Sequence, residues 1–216
     1  MKTIFWNVDT QYDFMRNDET FRGSLAITGA GEIEGNLEFL TKLAAARMKK
    51  VVNTADMHTL QSPEISVNPD FKTTFPAHCL RGTIGAAYIP ATIPEAPYII
   101  DWAAPRFDSQ RVQDARNIVL YKDRFDIFHP QGAPHTLKVL EIIKPDRVIV
   151  YGVATNVCVD FAVRGLLNFH RGIEVYVPAD AIKELPNLPL DEMLDAWRDA
   201  GTKLIRTNEV AKYLGE

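Results

Sequence analysis

Cysteine is scarce: Cys79 and Cys158 are the only two in 216 residues, so a disulfide framework is excluded. A chain of this length buries enough apolar surface to fold without a bridge. Both cysteines are therefore read as reduced thiols and the protein as cytoplasmic. No apolar run approaches the ~20 residues that a membrane-crossing helix needs. The first nine residues turn polar too early for a secretory signal and read as a strand. No basic run exists, and 24 Lys and Arg against 28 Asp and Glu give a net charge of -4. Nucleic acid and anionic membranes are therefore excluded as expected partners. A glycine-rich phosphate loop is missing too. Gly29 and Gly31 follow a long polar loop rather than a strand, which disfavours a dinucleotide oxidoreductase. With no repeat, linker or low-complexity tract, the sequence reads as one domain, 1–216.

What is present is an alternation of strands and helices. Short apolar runs at 4–8, 51–55, 98–101, 118–121, 147–153, 173–177 and 203–205 read as strands. Helical spacing of apolar residues marks 32–49, 135–143, a helix opening near Asn156 and running to Phe169, 190–200 and 208–214. Asn156 is the candidate N-cap of the third of these. This order implies a parallel sheet with helices on both faces. Ligands bind such sheets beyond the carboxyl ends of the strands. Asp9, Asp56, Lys122 and the turn before Cys158 each fall just past a strand end.

Each of these residues has a plain reading and a chemical one. Cys158 in a first helical turn is either a small core residue or a thiol whose pKa the helix N-terminus lowers. Asp9 caps a loop or accepts the thiol proton. Lys122 is a surface lysine or the cation that holds Asp9 as a carboxylate. Asp56 and His58 stand two apart, so an extended backbone points both the same way. With His78 they make a carboxylate and two imidazoles, a set used for zinc or iron as well as for ordinary hydrogen bonding. Glu64 or Asp70 could add an oxygen ligand. Cys79 reads as packing, and His129, His135 and His170 as structural.

These pieces together resemble the isochorismatase-like cysteine hydrolases, and within them the nicotinamidase branch. The resemblance rests on Val8-Asp9-Thr10-Gln11-Tyr12-Asp13-Phe14, on Asp56-Met57-His58, and on the stretch from Phe75 through His78 to Gly85-Ala86. It continues with Lys122 and ends on Gly152-Val153-Ala154-Thr155-Asn156-Val157-Cys158-Val159. It implies a three-layer α/β/α fold with a mainly parallel six-stranded sheet, often in a homo-oligomer. It implies a triad of Asp9, Lys122 and Cys158, and an oxyanion hole from the N–H groups of Ala154 and Cys158. It implies metal ligands Asp56, His58 and His78, with Glu64 as a possible fourth. The ion would be zinc, with iron or manganese as alternatives. A cis peptide between Val153 and Ala154 and pocket walls at Phe14 and Phe75 also follow from it. The implied activity is hydrolysis of a small amide, nicotinamide first, through a thioester. Alternatives are another amide, a ureido acid or a vinyl ether, or a ligand-binding module without turnover. Phe75 and Met57 stand where many nicotinamidases have tryptophan, Asp123 stands where glycine is frequent, and the 60–74 segment is unlike the usual loop.

Overall fold

The computed structural model describes residues 1–169, 172–186 and 190–215. Strands β1 (Thr3–Val8), β2 (Val51–Asp56), β3 (Tyr98–Ile100), β4 (Asn117–Lys122), β5 (Arg147–Val153), β6 (Glu174–Pro178), β7 (Ile182–Lys183) and β8 (Lys203–Ile205) form one sheet. Its order is β3-β4-β2-β1-β5-β6-β8, with β7 paired to β5, and every pairing is parallel. Eight strands replace the six expected. Seven of them are the runs read from the sequence, one more than the resemblance implies, and the eighth, the two-residue β7, is too short to carry an alternation signal.

The helices are α1 (Tyr12–Met15), α2 (Glu34–Ala46), α3 (Ser109–Asp114), α4 (Thr136–Ile143), α5 (Asp160–Phe169) and α6 (Asp191–Asp199). The segment expected as a last α-helix is a 3-10 helix, Thr207–Tyr213. His170 lies outside the described residues. The sheet separates two apolar layers. Leu37, Leu40 and Ala44 of α2 pack with Val210 and Leu214 on one face. Val112, Leu140, Ala162, Val163, Leu166 and Trp197, from α3 to α6, fill the other. β1 shows the two-residue alternation that feeds both: Ile4, Trp6 and Val8 join the second layer and Phe5 the first. Burying a leucine such as Leu37 or Leu40 fully contributes about 2 kcal/mol.

The register aligns the strand tips. Val8 pairs with Thr54 of β2 and with Gly152 of β5, and Asp56 pairs with Lys122. Gly152 is required where it stands. Its φ is +120°, and a Cβ there would lie 2.1 Å from the Val8 carbonyl oxygen. Just beyond it, the Val153–Ala154 peptide is cis.

Candidate active site

Lys122 is wholly buried, unlike nearly all lysines. Its ammonium donates to Asp56 Oδ1. The same nitrogen lies 3.0 Å from Asp9 Oδ2 and 3.6 Å from Cys158 Sγ. Asp9 Oδ1 accepts a 2.6 Å hydrogen bond from the Thr54 hydroxyl, and an Asp9 carboxylate oxygen lies within 4.8 Å of Cys158 Sγ. Three strand tips and the turn after a fourth thus deliver an acid, an amine and a sulfur to one point. Asp9, Asp56 and Cys158 have ligand atoms within 4.8 Å of one another, a set that could itself hold an ion. The Lys122 ammonium already supplies the positive charge there.

Burial dominates the protonation of this cluster. It lifts Cys158 well above the usual thiol range, with Lys122 opposing. That reverses the expectation of a lowered pKa. The turn holding the sulfur, Thr155–Val159, is a π-type turn ahead of α5, and the thiol is nearly enclosed. Burial also raises Asp9, against the pull of Lys122. Lys122 stays charged: burial opposes its ammonium, but Asp56 and then Asp9 outweigh it. The resting pair is therefore a neutral thiol beside an unusually basic carboxyl group.

Next to this cluster Asp56 faces two imidazoles. His58 Nε2 is 3.7 Å from Asp56 Oδ1, and His78 Nε2 is 3.9 Å from Asp56 Oδ2. The other ring nitrogens are anchored. His58 Nδ1 donates to Asp123 Oδ1 at 3.2 Å, and His78 Nδ1 to the Pro76 carbonyl at 2.8 Å. His58 Nε2 is buried and has no hydrogen-bond partner. A buried polar atom without a partner, turned toward a carboxylate and a second imidazole, fits a divalent ion. Without one, burial opposes the His58 imidazolium but Asp56 and Asp123 outweigh it, pushing His58 up to about 9. Burial holds His78 below the usual histidine range. Lys122, then His58, overcome burial at Asp56 and keep it well below the carboxylate range.

Cys158 of the first set, His78 of the second and Asp56, which belongs to both, border one partly open pocket. Cys158, Ala154, Asp56, Glu64 and His78 line its polar end, and Phe14, Phe75, Phe125, Leu25 and Leu185 are among its apolar walls. Glu64 Oε1 accepts from the Phe125 N–H at 2.6 Å. Burial, then Asp56, push Glu64 up to about 8. Asp70 is not brought to the site; it accepts from the N–H groups of Lys72, Thr73 and Thr74 on the surface. Cys79 packs as expected, fully buried. His129 and His135 serve local hydrogen bonds, His135 to the Ala104 carbonyl.

Three positioning groups carry no role in the sequence reading. Gln11 clamps Asp56 from both sides, its Oε1 accepting from Asp56 N–H and its Nε2 donating to the Asp56 carbonyl, each at 2.8 Å. Asp13 accepts from the Cys79 N–H at 2.6 Å and so ties down the residue after His78. Asp123 holds His58. The signal for the first two was a polar cluster, 9–13, running into buried Phe14. Asn156 is not an N-cap. Its side chain instead brackets the Leu185 backbone, with both contacts at 2.9 Å, and so fixes one cavity wall.

Comparison with known families matches residues 4–209 to the isochorismatase domain. The nicotinamidase/pyrazinamidase of Mycobacterium tuberculosis is 27% identical over 196 residues, which are 82% of this chain and 91% of that protein. Among solved structures, the pyrazinamidase of Pyrococcus horikoshii in complex with zinc superposes with a TM-score of 0.72 at 21% identity, covering 95% of this chain and 99% of that one. The N-carbamoylsarcosine amidase of Thermoplasma acidophilum gives 0.71 at 20% identity, covering 97% and 98%.

Proposed function

The chain belongs to the isochorismatase family of hydrolases, and from that premise we propose that it is a metal-dependent cysteine amidohydrolase whose first candidate substrate is nicotinamide. The observation that carries this reading is the contact of one buried ammonium, Lys122, with Asp9, Asp56 and Cys158 at the polar end of an apolar cavity. The names of the similar proteins, a nicotinamidase/pyrazinamidase and a pyrazinamidase in complex with zinc, support the substrate class and the ion.

In the proposed reaction Asp9 takes the thiol proton as Cys158 attacks the amide carbonyl. A buried thiol loses its proton only to a base in contact, and a raised Asp9 is a stronger base than an ordinary aspartate. Lys122 stabilises the sulfur as its charge develops. The N–H groups of Ala154 and Cys158 receive the oxyanion, each such donor being worth about 3 kcal/mol. The C–N bond then breaks, Asp9 returns its proton to the leaving ammonia, and a thioester to Cys158 remains. Water, deprotonated by Asp9, hydrolyses it to the carboxylic acid and the free thiol. Asp56, His58 and His78 would hold a divalent ion; Glu64, whose Oε1 takes the Phe125 N–H, lines the same pocket but falls outside their cluster. When bound, that ion would supply a positive centre for a ring-nitrogen lone pair. Phe14 and Phe75, whose rings lie 5.4 and 6.2 Å from His78, would flank the ring.

The test is ammonia release from nicotinamide, pyrazinamide, aliphatic amides and N-carbamoyl acids by purified protein. Turnover of the two aromatic carboxamides well above the rest is the expected result. Equal or better turnover of an aliphatic or ureido substrate would overturn the assignment.

A further inference from the structure

The loop that follows β4 opens with a buried acid, Asp123, immediately after Lys122. Its Oδ1 accepts from two donors, His58 Nδ1 at 3.2 Å and the Ser62 hydroxyl. Ser62 is itself held: its hydroxyl oxygen accepts from the Thr59 N–H at 2.8 Å, and its own N–H reaches the Thr59 carbonyl at 3.1 Å. Two residues on, Glu64 Oε1 takes the Phe125 N–H. The unusual 60–74 segment is thus stitched to residues 123–125 by two contacts, one of them at the acid that holds His58.

A neutral imidazole has one N–H and one lone pair, and the partner of the first nitrogen decides where the second points. A carboxylate accepts only, so a neutral His58 beside Asp123 carries its proton on Nδ1 and presents a bare Nε2. That Nε2 is the buried atom without a partner, turned toward Asp56 and His78. We propose that Asp123, braced by Ser62, is the positioning residue of the metal centre, fixing the tautomer and the direction of His58. His78 has a different device, the Pro76 carbonyl, so the two imidazoles are aimed independently. The inference rests on Asp56, His58 and His78 being the ligands.

The experiment measures cobalt(II) affinity of metal-stripped protein by competition with a chromophoric chelator, together with the visible spectrum of the cobalt form. Asp123→Ala should bind cobalt about 10–100-fold more weakly than wild type, as losses of such outer partners do. Its cobalt spectrum should change as well. Asp123→Asn keeps an acceptor oxygen and should recover most of the affinity. Ser62→Ala, which removes only the brace, should lose less than Asp123→Ala. Circular dichroism of the metal-free proteins separates misfolding from a local effect, and Ser62→Ala keeps the test open if Asp123→Ala does not fold. A wild type that binds cobalt, with folded Asp123→Ala unchanged in both affinity and spectrum or, should that variant not fold, with Ser62→Ala no weaker than wild type, overturns this inference alone. A wild type that takes up no cobalt overturns the metal reading and this inference with it.

Discussion

Asp56 and Lys122 are register partners at the tips of β2 and β4, and the Lys122 ammonium donates to the Asp56 carboxylate. The contact couples the two halves of the site. Oδ1 of Asp56 faces the lysine that also touches Asp9 and Cys158, while Oδ2 faces His78. Asp56→Ala should therefore remove bound metal and weaken turnover at once. Elemental analysis checks the first effect, and stoichiometric metal retained in the variant would contradict the ligand assignment.

Lys122→Met should abolish turnover and also destabilise the fold. It leaves two buried carboxylates facing each other, and breaking such a buried pair typically costs about 3–5 kcal/mol. Lys122 is the chief group holding Asp56 below the carboxylate range, so without it the carboxylates protonate more readily. The penalty should shrink between pH 7 and pH 5. Denaturant unfolding at both pH values reads this directly, and a penalty that grows on acidification would refute the charge argument.

Cys158→Ala should lower turnover on the order of 10⁴-fold or more, as loss of a nucleophile does. The fold should survive, since one buried sulfur is worth only about 1 kcal/mol. Ammonia release and a thermal melt on the same sample separate the two. Activity within tenfold of wild type would rule out a thioester.

Glu64 gives a pH signature in metal-stripped protein. Its folded pKa is about 8 against an ordinary 4.5. A carboxyl group raised on folding stabilises the fold fully below its unfolded value, and that stabilisation is lost as pH rises through the folded value. Wild type should thus lose stability relative to Glu64→Gln between pH 5 and pH 8. Urea unfolding of both proteins checks this, and parallel pH profiles would show that the residue is ionised throughout.

Gly152→Ala tests the close approach of β5 to β1. The added methyl would meet the Val8 carbonyl at 2.1 Å in a backbone conformation L-residues rarely adopt. A loss on the order of 4 kcal/mol or more is expected, in the range reserved for specific steric failures. A thermal melt near that of wild type would mean that the strands can separate cheaply.

The sheet was legible because its strands carry apolar, β-branched runs and its helices carry three- and four-residue spacing, which are local properties. Elements too short for either pattern escaped: β7, α1 and α3 have two, four and six residues. The meeting of Asp56 and His58 was legible because they lie two apart on extended chain, whereas His78 was joined to them by residue type and the resemblance, not by spacing. Asp123 and Ser62 were not, because their chemistry depends on two loops meeting across 61 residues of sequence.

The sequence by itself determined that strands would alternate with helices, that reactive side chains would stand at strand ends, and which residue types were available there. Tertiary structure alone decided their protonation. A helix N-terminus seen in isolation argues for a thiolate at Cys158, yet full enclosure makes the neutral thiol the resting form and makes Asp9 a stronger base. Burial withdraws the water that stabilises charge, and only the complete packing of β1, β2, β4 and the turn after β5 shows how much water is gone.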